Sequence, residues 1–151
     1  MDGADCKAMG TSDNEKMVVS DWPGSKYDLS HCDNRKAKGS YDEAMKHLRT
    51  NKQRSVETQF RVMYRRFVNG QRMSRGSLVK EAALTGTGGR NGGKDLHFYA
   101  FKKIPVRSYF WYSPTVTRNV WVSHYLFKDF DDLSAKDTQK VRNKFQSIEG
   151  Y

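Results

Sequence analysis

The stretch HFYAFKKIPVRSYFWYS, residues 97–113, decides the fold. Rings alternate with cations, and Pro105 splits the run in two. Tyr, Phe, Trp and Val at this density favour strands, and the proline allows a tight connection between them. The spacing predicts one strand from Leu96 to Lys103 and a second from Val106 to Ser113. Ser113-Pro114-Thr115 starts a turn, and a third strand follows from Asn119 to Phe127. Connections this short make an antiparallel meander.

Period two sorts these strands into faces. Val106, Ser108, Phe110 and Tyr112 point one way, and Arg107, Tyr109, Trp111 and Ser113 the other. His97, Tyr99, Phe101 and Lys103 oppose Phe98, Ala100 and Lys102. Strict alternation groups Val120, Val122, His124 and Leu126 against Trp121, Ser123, Tyr125 and Phe127. One face packs on helices and the other is expected to be open, which antiparallel sheets tolerate. Arg107 and Tyr109, flanked by Lys102 or Lys103, then form an exposed surface of cations and rings. Rings stack on unpaired bases and cations grip phosphates. Trp111, Trp121, Phe98 and Phe110 read as core rather than platform. His124 is either a structural strand histidine or an acid–base group beside a phosphate.

Outward from the sheet, Val56, Phe60, Met63 and Phe67 recur at helical spacing, which predicts a helix over 53–68 ended by Asn69-Gly70. A shorter helix is expected to begin at Ser40 as N-cap, with Asp42 and Glu43 in its first turn. The two form a helical hairpin with Arg61, Arg65 and Arg66 off the apolar stripe. A further apolar piece runs from Leu78 to Leu84. At the C-terminus, Ser134-x-x-Asp137 resembles a capping box, and Thr138, Val141, Phe145 and Ile148 give a closing helix over 134–148. Met17-Val18-Val19 reads as an edge strand, residues 1–15 as disordered, and 16–151 as one domain. The fold class is α+β: a helical hairpin on a small antiparallel sheet, closed by a C-terminal helix.

Charge points to a partner. The 151 residues carry 27 basic and 17 acidic side chains, a net of +10. Residues 1–40 hold six basic and seven acidic side chains, whereas 44–118 hold sixteen and three. A block this basic points to a polyanion, above all nucleic acid. No apolar run nears the about 20 residues of a membrane span, so no membrane partner is expected. The N-terminus has no apolar signal region, and Cys6 and Cys32 sit in the polar N-terminal part without metal-ligand spacing, so a reducing cytoplasm is expected. Residues 85–95, TGTGGRNGGKD, nearly match a phosphate-binding loop. Asp95 stands where Ser or Thr is required, no strand is read before it, and no helix follows. A flexible connection is expected instead, with Arg90 and Lys94 free to touch a backbone phosphate.

The run KDLHFYAFKKIPVRSYFWYS, then NVWVSHYLFKDF and an amphipathic helix, resembles the RelE/HigB-type toxins of bacterial toxin–antitoxin systems. Arg107, with Phe110 three residues on, matches the family's strand arginine and aromatic. His124 falls on its histidine and Lys128 on the first of its two lysines. Lys102 stands where the family has an arginine, and Asp129 where it has the second lysine. The resemblance implies a type II toxin, a ribosome-dependent endoribonuclease of the cytoplasm that cuts mRNA without metal or cofactor and inhibits translation. It further implies a cognate antitoxin. The 2′-hydroxyl attacks the adjacent phosphate and the 5′-oxygen leaves, which needs a base, an acid and cations. Arg107 is the candidate for charge stabilisation, Lys102 and Lys103 for phosphate positioning or the base, and His124 or Tyr109 for the acid. Arg61, Arg65, Arg66, Arg90, Lys94 and Lys128 are the candidate RNA contacts, with ribosomal RNA on the helices. The alternatives are a non-catalytic gyrase poison of the ParE branch and a basic RNA-binding module without activity.

Overall fold

A computed structural model of the chain describes residues 16–128 and 133–151. The element order is β1 (Asp28–His31), α1 (Asn34–Met45), α2 (Thr50–Val68), β2 (Leu78–Leu84), β3 (Leu96–Lys103), β4 (Val106–Tyr112), β5 (Asn119–Phe127) and α3 (Ala135–Glu149). The fold is α+β, and β3, β4 and β5 form the expected antiparallel meander. The sheet is larger than the meander. Its five strands run β1-β5-β4-β3-β2, with β1 parallel to β5 and β2 antiparallel to β3. The sheet is therefore mixed, not purely antiparallel.

One face carries α1 and α2. Ala37, Tyr41, Ala44 and Met45 of α1 join Val56, Phe60, Met63, Tyr64 and Phe67 of α2 over Phe101, Val106, Phe110, Val120 and Val122. The predicted stripe of α2 is this buried face. Gly70, with φ +69, ends the helix in a backbone region open to glycine. Gly24 presses on the same end. A Cβ there would sit 2.3 Å from the Val68 carbonyl oxygen, which accepts hydrogen bonds from the amides of Lys26 and Tyr27. The opposite face carries α3, whose Val141 and Phe145 pack on Leu84, Phe98, Ala100, Tyr109 and Trp111. The expectation of an open face is thus overturned. An amphipathic helix must bury its stripe somewhere, and the second sheet face is the apolar surface within its reach.

Several local expectations also change. Helix α1 begins at Asn34, six residues before Ser40, after the N-cap Asp33, whose side chain accepts from the Lys36 amide at 3.0 Å. Ser40 lies inside the helix. Its hydroxyl donates to the Ala37 carbonyl at 2.8 Å and accepts the Tyr125 amide at 3.0 Å, stitching α1 to β5. Met17–Val19 form no strand, although Val18 and Val19 are buried against the helices, and the residues before 16 lie outside the described ones. Cys32 is not remote from the core but packs beside the α3 cluster. The glycine-rich run is preceded by a strand after all, β2, and followed by another, β3, so it is the connection of an antiparallel pair. The short turn Gly88–Arg90 is held by the Asp95 carboxylate on the Gly88 amide at 2.8 Å.

Candidate functional site

The geometry of the candidate residues turns on one irregularity. Tyr109 pairs with His124, and the next residue of β4, Phe110, pairs with Val122, so Ser123 is an extra residue in β5. A bulge of this kind shifts the side-chain phase of a strand and re-aims the side chains beyond it. Val120 and Val122 face the helices α1 and α2, but past the bulge so do Tyr125 and Phe127. His124 is thereby turned to the α3 face, with its ring centroid 5.2 Å from that of Tyr109. Strict alternation, which grouped His124 with Val120 and Val122, fails at this point.

On that face stand Arg107 and Tyr109 of β4 and His124 of β5. Lys102 of β3 stands directly opposite Arg107 across the strand pair, so the two cations share the face. Lys103 points to the other face, as alternation requires, and its ammonium lies 3.4 Å from the Ser77 hydroxyl. The site is closed. Arg107 is 1% exposed, His124 2% and Tyr109 fully buried. The exposed cation-and-ring surface expected from the sequence is instead an interior layer beneath α3.

A hydrogen-bonded chain ties that layer to the first turn of α3. The His124 Nε2 lies 3.0 Å from Asp137 Oδ1, and its Nδ1 lies 2.8 Å from the Ser123 hydroxyl. Ser134, the N-cap of α3, donates to Asp137 Oδ2 at 2.6 Å and accepts the Asp137 amide at 3.0 Å. Burial lowers the His124 pKa, outweighing the hydrogen bond to Asp137. Burial works to raise the Asp137 pKa, but the hydrogen bonds from His124 and Ser134 outweigh it and the net shift is downward. The pair at neutral pH is therefore a neutral imidazole and a carboxylate. Nε2 then carries the proton and donates to Asp137, and Nδ1 accepts from Ser123. Tyr109 is pushed up to about 12, by burial first and by Asp137 next, with Arg107 opposing, so its phenol keeps its proton.

Asp137, Ser123 and Ser134 were not among the candidates. The Ser134–Asp137 capping pattern was visible, but nothing local shows that the capping carboxylate also receives a histidine 13 residues upstream. The other candidates lie apart. Lys128 is buried at the end of β5, where its amide donates to the Pro105 carbonyl at 2.6 Å, so it is no surface RNA contact. Arg61 is largely covered: its Nε donates to the Lys16 carbonyl at 2.6 Å and Nη2 lies 3.4 Å from Glu57. Arg65 is half-buried and Arg66 exposed on α2. Arg90 lies over the Tyr151 ring, 4.4 Å from its centroid, and Lys94 is exposed.

Among the described residues no group of three or more His, Cys, Asp or Glu side chains could hold a metal ion, and no helix is long and apolar enough to cross a membrane. Compared with known proteins, the chain matches no family model, no curated protein and no solved structure.

Proposed function

We propose that this protein is an endoribonuclease of the RelE/HigB toxin type, acting on ribosome-bound mRNA and restrained by a cognate antitoxin. The observation that carries this reading is the bulge at Ser123, which brings His124 beside Tyr109 on the face that also holds Arg107 and Lys102. These are the side chains that metal-independent cleavage next to a 2′-hydroxyl calls for. Arg107 and Lys102 offset the charge gained by the phosphorane. Tyr109, protonated up to about pH 12, gives its proton to the leaving 5′-oxygen. His124 is neutral, and its unprotonated Nδ1, once released from the Ser123 hydroxyl, is the nitrogen that takes the 2′-hydroxyl proton. Because Arg107 and His124 are covered, the reading requires the first turn of α3 to lift from the sheet when RNA binds.

The same burial favours the second reading, in which the layer only holds α3 and the protein binds RNA or another target without cutting it. The two separate on cellular mRNA. In a bacterium expressing the protein, mapped 5′ ends should show cuts in codon register. Arg107→Lys and His124→Gln should lower cleavage roughly a hundred- to thousandfold. Thermal midpoints measured alongside show whether the variants stay folded. Intact mRNA with the wild-type protein rejects the nuclease, and intact mRNA with DNA damage supports a gyrase poison.

A further inference from the structure

On the side of the sheet away from His124, a groove of about 430 Å³ opens between the second half of α2, the 69–77 loop and the end of β3. Its cations come from three different elements: Arg66 from α2, Arg72 from the loop and Lys103 from β3. Among the described residues no acidic one lines it. The chain from 58 to 80 holds six basic residues and no acidic one. Among the described residues none of the three cations is ion-paired to a carboxylate. The groove is braced by hydrogen bonds. Arg66 Nη1 donates to the Arg72 carbonyl at 3.2 Å, Ser77 accepts from Lys103, and the Ser77 carbonyl takes the Lys102 amide at 2.8 Å. Val62, Met63 and Met73 give it an apolar wall.

We infer that this groove is a binding site for one nucleotide unit, with its phosphate among Arg66, Arg72 and Lys103 and its base against Val62 and Met73. The volume falls in the range of small-ligand clefts. Three cations drawn from three elements onto one groove supply donors for the several oxygens of a phosphate. A planar carboxylate is held by one arginine fork and needs no such arrangement. Polarisable methionine makes a permissive surface for a flat ring. The site is separate from the His124 layer, and it stands or falls whether or not the protein cleaves RNA.

The shared chemistry is a nucleotide phosphate, and its source is either a free nucleotide or a strand of RNA. The test uses both, without ribosomes: calorimetric titration with AMP, and fluorescence anisotropy with a labelled ten-nucleotide oligouridylate. Arg66→Gln/Arg72→Gln/Lys103→Gln should weaken RNA binding at least about tenfold and flatten the log–log salt slope by about 0.7 per phosphate released. Arg35→Gln/Lys46→Gln/Lys52→Gln removes the same charge from exposed positions elsewhere and should change affinity less than about threefold. Binding of AMP as well as RNA assigns the groove to single nucleotides. Binding of RNA alone assigns it to a strand. The inference is overturned if neither binds, if the two triple variants weaken binding equally, or if an oligo-aspartate peptide competes as well as RNA does. The last result would mark an acidic protein surface as the occupant. Arg66 and Arg72 are exposed, so their double replacement serves as the folded control should Lys103→Gln lower stability.

Discussion

Acid should loosen this protein through His31, and the size of the effect can be worked out. His31 is 5% exposed between β1 and the helices, with Nε2 at 2.8 Å from the Tyr125 hydroxyl. That hydroxyl lies 2.8 Å from the Tyr64 hydroxyl, which lies 2.8 Å from Ser108, a buried polar chain across the main core. Burial lowers the His31 pKa from 6.5 to about 4, with the Ser20 backbone working weakly the other way. The unfolded chain therefore takes up a proton that the folded protein refuses. Stability is fully present above the unfolded value of 6.5, falls as the pH drops from there towards 4, and loses nothing further from this group below that. Between pH 7 and pH 5 the loss comes to about 2 kcal/mol at 1.36 kcal/mol per pKa unit. For a chain of this length that lowers the thermal midpoint by about 4–8 °C. His31→Phe keeps a ring stacked near Tyr125, which retains Tyr64 as a partner, and removes the titration. Calorimetric scans at pH 7 and pH 5 should show a smaller acid shift in the variant by about that amount. His124 contributes equally to both proteins and cancels. An identical acid shift in wild type and variant would refute the reasoning.

Two further outcomes test the packing around the site and the loop before β1. Asp137→Ala leaves the His124 Nε2–H buried without its acceptor and should cost about 3 kcal/mol in urea unfolding, with Asp137→Asn costing less. A loss below about 0.5 kcal/mol would mean that the His124–Asp137 contact does not hold α3 down. Gly24→Ala drives a methyl group into the Val68 carbonyl and should lower the urea midpoint by the equivalent of at least about 2 kcal/mol at unchanged slope.

Much of the architecture was legible because it is local. The stripe Val56, Phe60, Met63 and Phe67, the stop at Asn69-Gly70, the aromatic meander and the Ser134 cap are each written within a single helix or helix end or within strands that follow one another along the chain. Strand β1 was not, because only Leu29 of its four residues is strongly apolar and its partner β5 lies about 90 positions away. The candidate site divides the same way. Alternation alone separates Lys102 from Lys103 and groups Arg107 with Tyr109. His124 joins them only through the bulge, which depends on how β4 and β5 register against each other and leaves no mark in Val122-Ser123-His124 itself. Sequence also showed that the C-terminal helix has an apolar face, through Thr138, Val141 and Phe145, but not which surface that face would cover. The tertiary structure set it on Tyr109 and Trp111 and carried Asp137 to His124. Burial is a property of two surfaces brought together, and a periodic pattern along one of them specifies only its own half.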